Sequence, residues 1–119
     1  MPQIILEYSA NLNNFQYKEF FQKIYQQMKD IPNIGTCKMR VVSQENYFIG
    51  TENDESAFVF LRILMAPKEE RTDQFKKNIA DKLIPILRKY TNLATKELDI
   101  KCYPTLEICA LSKYYYWIE

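Results

Sequence analysis

Twice in these 119 residues a run of period-two hydrophobicity gives way to an apolar stripe of helical period, then returns to period two. This order limits the fold more than any other feature of the chain. Each stripe gives a helix one apolar face, which must be buried against the flanking strands. The pattern predicts an α+β fold: duplicated βαβ units forming a four-stranded sheet with two helices on one face. The length suits one domain with one modest core, spanning residues 1–119. The other sheet face stays uncovered, and its apolar residues argue for oligomerisation.

The first unit opens with a strand over residues 3–9. Ile4, Leu6 and Tyr8 share one side; Gln3, Ile5 and Glu7 share the other. Asn11, Asn13 and Asn14 supply turn and helix-capping chemistry. Over residues 15–28, Tyr17, Phe20, Phe21, Ile24 and Met28 form a helical stripe, which Pro32 and Gly35 terminate. A strand follows over residues 38–43, then a polar loop or hairpin over 44–55. The second unit has the strongest strand, residues 57–65, with Val59, Leu61, Ile63 and Met65 facing one way. A helix is expected over about residues 70–90, with Glu69 and Glu70 near its start and a kink at Pro85. Its stripe is Phe75, Ile79, Leu83, Ile86, Leu87 and Tyr90. Residues 98–106 read as a fourth strand, irregular at Pro104. Residues 108–118 form an apolar tail with four consecutive aromatics, Tyr114 to Trp117, whose expected partner is a neighbouring subunit.

Composition removes several classes of chemistry. The chain has no histidine, so a histidine base and a His-ligated metal are excluded. Its two glycines, Gly35 and Gly50, cannot build a phosphate-binding glycine loop. A formal net charge of +1 gives no general attraction to nucleic acid or anionic membrane. Cys37, Cys102 and Cys109 lack metal-ligand spacing and read as small buried residues. Their odd number suits a reducing compartment. No signal peptide or membrane span is evident, so the expected location is the cytoplasm.

The remaining candidates lie on the first two strands. Removal of Met1, which small second residues normally permit, would make Pro2 a free secondary amine. Burial and nearby cations would lower its pKa toward neutrality, where a proton-transfer base works best. In an arbitrary chain Pro2 would simply be the second residue of a strand. Lys38 and Arg40 project from one strand face and form a ready anion site, although basic residues also protect edge strands from aggregation. Arg62 is a lone charge in an apolar strand. The sequence leaves open which of Lys38, Arg62, Lys68 and Arg71 reach a site.

Pro2 followed by Ile4-Ile5-Leu6-Glu7-Tyr8-Ser9-Ala10-Asn11-Leu12 resembles the start of 5-carboxymethyl-2-hydroxymuconate isomerases, in the tautomerase superfamily. Lys38-Met39-Arg40 resembles the family's basic-x-Arg strand, and Ala57-Phe58-Val59 its Ala-Phe-Val strand opening. The resemblance is strong to Leu64, extends through the second helix and weakens after Leu98. It implies a homotrimer and a cofactor-independent isomerase acting on an acidic enol or dienol, such as 5-carboxymethyl-2-hydroxymuconate. Pro2 would be the catalytic base and acid. Arg40 would anchor a carboxylate, with Lys38 at the family's other basic position. The family's Gly-Ala-Gly-Arg-like turn is replaced by the shorter Ala66-Pro67-Lys68, where Lys68 keeps the charge without the fork. Phe60 stands at a position where the family often has histidine.

Two other readings fit the sequence. One is a non-catalytic assembly of the same fold. The other is an RNA-recognition module, which shares the order of elements; Ala57-Phe58-Val59-Phe60 loosely resembles part of its octamer. That octamer's Lys/Arg-Gly opening is replaced by Glu55-Ser56, and the basic footprint is absent. The partner that the resemblance implies is a small-molecule carboxylate; no nucleic acid and no membrane are expected.

Overall fold

The computed structural model describes residues 1–50 and 55–118. The elements run β1 (Gln3–Ser9), α1 (Tyr17–Met28), β2 (Lys38–Gln44), β3 (Ser56–Met65), α2 (Asp73–Thr95) and β4 (Lys101–Ala110). The sheet order is β2-β1-β3-β4. Each unit pairs its own strands in parallel, β1 with β2 and β3 with β4, and the units join through antiparallel β1 and β3. Parallel neighbours need a crossover, which α1 and α2 supply.

The alternation in β1 and β3 decides which sheet face meets the helices. Ile4, Leu6, Val59, Leu61 and Ile63 have no exposed surface, and Met65 is 1% exposed. Phe20, Ile24 and Met28 of α1, with Ile79, Leu83, Leu87 and Tyr90 of α2, complete this core. Phe20 packs edge-on against Tyr90, with ring centroids 5.7 Å apart. The Tyr90 hydroxyl donates to Glu19 Oε1 at 2.9 Å, tying the helices together. Burial, then the Glu19 contact, raises the phenol's pKa.

Local chemistry shifts several boundaries from expectation. Helix α1 begins at Tyr17 after Gln16, which makes no side-chain cap; the expected asparagine cap is absent. Asn11 instead donates to the Ser56 carbonyl at 2.9 Å, linking the β1 end to the β3 start. Helix α2 starts at Asp73, because Thr72 Oγ1 accepts the Phe75 amide at 3.2 Å. Glu69 and Glu70 precede it. The helix continues past Tyr90 because Thr91 and Ala94 extend its buried stripe. It also runs through Pro85, which lacks the amide that would bond the Asp81 carbonyl. Strand β4 runs from Lys101 to Ala110, so Ile108 belongs to the sheet rather than the tail. Pro104 lies inside β4, an edge strand where a missing amide is tolerated, and Thr105 Oγ1 donates to the Val59 carbonyl at 3.3 Å. Residues 45–50 form an irregular loop after Gln44, which belongs to β2; residues 51–54 of that expected loop lie outside the described residues.

Candidate active site

The uncovered sheet face carries the charges. Residues paired across the strands share a face, so Arg40, Ile5, Arg62 and Glu107 form one row. Lys38, Gln3, Leu64 and Cys109 form the next row, toward Pro2. The two arginines flanking Ile5 are treated differently. Arg62 Nε donates to Glu107 Oε1 at 3.1 Å, so its charge is matched. Arg40 Nη1 donates to Gln3 Oε1 at 2.8 Å, a neutral amide. Gln3 lies one row nearer Pro2 than Arg40 does, so this bond draws the guanidinium toward the start of β1.

Pro2 is buried, and its carbonyl accepts the Lys38 amide at 2.9 Å. This fixes the first residues of β1 and β2 side by side. Burial pushes the Cys37 thiol up, partly offset by the nearby N-terminal ammonium. Residues 111–118 return to the same end of the sheet. The Tyr115 hydroxyl accepts a bond from Gln3 Nε2 at 2.8 Å, and Lys38 Nζ lies 6.0 Å from the Trp117 ring centroid. Lys38, Tyr115, Tyr116, Trp117 and Ile118 line a cavity of about 220 Å³. The aromatic tail, expected to meet a neighbouring subunit, thus contacts its own chain through Tyr115 and Trp117. Tyr116 and Ile118 remain 74% and 89% exposed.

Pro2, Lys38 and Arg40 lie toward this end by strand register, and of the three only Lys38 lines the cavity. Lys68 lies on the turn after β3, toward the same sheet end, but lines a separate cavity of about 90 Å³ with Arg71 and Cys109. Arg71 is buried and structural: Nη1 donates to the Ala66 carbonyl at 2.8 Å and Nη2 to the Asn33 carbonyl at 3.2 Å. Asn33 has a positive φ of 63°, a strained turn that this bond braces. The sequence singled out neither Gln3 nor Tyr115 as a site residue. Gln3 offered one clue, its place on the strand side of Glu7, and Tyr115 lay within the aromatic run read as a subunit contact.

A larger groove, about 490 Å³, runs between α2 and β4 over Leu87, Leu106 and Ile108. It contains none of Pro2, Lys38, Arg40 and Lys68. Cys37 and Cys102 lack nucleophilic character: burial raises both thiols, Cys102 from 9.0 to about 11 against a smaller lowering by the Tyr103 backbone. Among the described residues no cluster of histidine, cysteine, aspartate or glutamate could hold a metal ion. No helix among them is long and apolar enough to cross a membrane.

The sequence profile of the 5-carboxymethyl-2-hydroxymuconate isomerase family matches residues 2–117. The chain belongs to this family. It is an enzyme of the 5-carboxymethyl-2-hydroxymuconate isomerase type, and its fold is tautomerase-like. A 5-carboxymethyl-2-hydroxymuconate isomerase from Deinococcus radiodurans R1 superimposes with a TM-score of 0.82 at 24% identity, covering 99% of this chain and 88% of that one. A 5-carboxymethyl-2-hydroxymuconate delta-isomerase gives the same TM-score at 15% identity, covering 100% and 88% of the respective chains. A probable enzyme from the fungus Aspergillus fumigatus gives 0.70 at 17% identity, covering 99% and 80%. At these identities the structural matches speak for the fold. A search of curated proteins finds no match.

Proposed function

We propose that this protein is a cofactor-independent tautomerase that moves a proton in an acidic enol or dienol of the 5-carboxymethyl-2-hydroxymuconate type. The supporting observation is the contrast between the two arginines. Arg62 faces a carboxylate, whereas Arg40 is held by a neutral amide and keeps its charge for an anion. In the chain beginning at Met1 the Pro2 nitrogen is an amide, so the base exists only once Met1 is removed. The freed amine takes the enol proton and returns it to a distant carbon. Its rigid, buried ring fixes the lone pair, and Lys38 and Arg40 disfavour its protonated form. Arg40 grips a substrate carboxylate through its fork, while Lys38 adds a second positive charge against the developing oxyanion. Lys68 supplies charge at the family's turn position.

The protein acts as a homotrimer in this reading. Ile5, Phe60 and Leu64 are only partly buried on the open sheet face, and a second copy of the chain would cover them. Three free cysteines suit the reducing cytoplasm.

The test is ketonisation of a 2-hydroxymuconate-type dienol by protein whose intact mass shows Met1 removed. Pro2→Ala should lower kcat by roughly 10²–10⁴-fold, the range for a positioned acid–base group. Analytical ultracentrifugation should give a trimer mass for both proteins. Equal, solution-level rates in both would reject the catalytic reading and leave the non-catalytic assembly.

A further inference from the structure

Gln3 has both ends of its side chain engaged while only 7% exposed. A guanidinium can only donate, so the oxygen of the amide must face Arg40. The nitrogen must then face Tyr115, whose phenol oxygen accepts. The orientation of this amide therefore follows from its partners and needs no further assumption. The result is a three-residue chain, Arg40 to Gln3 to Tyr115, running from the basic strand to residues 111–118. Trp117 continues the contact by lying against Lys38. Both cations of the proposed carboxylate site are thus in contact with, or one residue from, the same aromatic segment.

The chemistry of the bridge matters. A carboxylate at position 3 could also join Arg40 to Tyr115, but it would cancel the charge the site needs. An apolar residue would preserve the charge and lose both bonds. Glutamine meets both requirements: it accepts from a cation, donates to a phenol and carries no charge. The same sheet shows the alternative, because Glu107 neutralises Arg62.

We infer that Gln3 is a positioning residue that couples residues 111–118 to Arg40, so that capture of the substrate carboxylate depends on that segment. This rests on the carboxylate-binding role proposed above for Arg40. With the bridge intact, Arg40 is held over the Pro2 end of the sheet and Tyr115 and Trp117 wall the cavity. A planar, conjugated carboxylate would lie between the aromatic wall and the cations. When the bridge breaks, the guanidinium regains its rotamer freedom and the wall detaches.

The experiment compares wild type with Gln3→Met, Gln3→Glu and Tyr115→Phe. Two readouts are used: KM against kcat for the dienol, and acrylamide quenching of Trp117, the chain's one tryptophan. Gln3→Met should raise KM by roughly tenfold, the scale of a hydrogen bond to a charged group, with a smaller change in kcat. Its Trp117 should become more quenchable. Tyr115→Phe should likewise make Trp117, already 60% exposed, more quenchable, with a smaller rise in KM because Arg40 keeps its acceptor. Gln3→Glu should leave Trp117 as quenchable as in wild type yet raise KM, which a purely structural role would not produce. Unchanged KM and unchanged quenching in Gln3→Met would overturn the inference. If wild type shows no turnover, the proposed function fails first. The coupling is then judged by quenching alone, and equal quenching in wild type, Gln3→Met and Tyr115→Phe rejects it. Circular dichroism and ultracentrifugation of each variant separate these effects from misfolding.

Discussion

On the helix-covered face of the sheet, Ile4, Leu6, Leu61 and Ile63 meet α1 and α2 with no exposure. One residue along the same strands, on the open face, stand Ile5, Glu7, Phe60 and Arg62, all partly exposed. The covered positions are interchangeable in kind: apolar side chains of suitable volume. The open positions are individual, since Arg62 pairs with a carboxylate and Arg40 with a neutral amide. A strand therefore carries two kinds of information on alternate residues. Mutations on the covered face should register as lost stability, and mutations on the open face as altered chemistry.

The largest stability effect is expected on the covered face. Leu61→Ala should cost about 2–5 kcal/mol, as for a fully buried leucine, read from the urea midpoint. A loss comparable to an exposed site would break the contrast between faces. Arg71→Met tests a buried charge away from both faces and should cost about 1.5–3 kcal/mol, the range for hydrogen bonds to charged groups. Tyr90→Phe removes only the hydroxyl joining α2 to Glu19 and should cost about 1 kcal/mol. On the open face Arg62→Gln should cost at most about 1 kcal/mol, because its ion pair with Glu107 is well exposed. A larger loss would mean that the open face shares in the core.

Titration offers a finer probe. Cys102 packs against the core, and its pKa is raised from 9.0 to about 11 by burial. The folded state then holds the thiol proton more tightly than the unfolded chain. That contribution is fully present below pH 9.0 and is lost as pH rises through about 11. Cys102→Ala should flatten the fall in the urea midpoint across this window. Cys37, also raised from 9.0, should account for part of the remaining slope.

The same contrast explains what the sequence could reveal. The covered face is a matter of alternation, so β1 and β3 and the core side of each were readable from Ile4-Leu6-Tyr8 and Val59-Leu61-Ile63. Helix α2 was harder to delimit. Its buried stripe continues into Thr91 and Ala94, which carry little hydrophobic signal, and its start is set by one hydroxyl on Thr72. The pattern also missed Ile108 as a strand residue, because Pro104 suggested disruption in what is a tolerant edge strand. Pro2, Lys38 and Arg40 were visible as chemical types on adjacent strands. The Gln3–Tyr115 bond was invisible, since it depends on how a distant segment crosses the sheet and no local pattern encodes it.

That bond joins positions 112 apart in the sequence. Protein synthesis releases Gln3 well before Tyr115, and β1 acquires its antiparallel neighbour only after β3 has emerged. A nascent or shortened chain can therefore hold the basic strand while lacking the wall that completes its cavity. Loop closure over such a span is entropically costly and is expected late in folding. In refolding, Trp117 fluorescence should settle after the helical circular-dichroism signal. Under the proposed reading, the arrival of residues 111–118 thus sets when the pocket is complete.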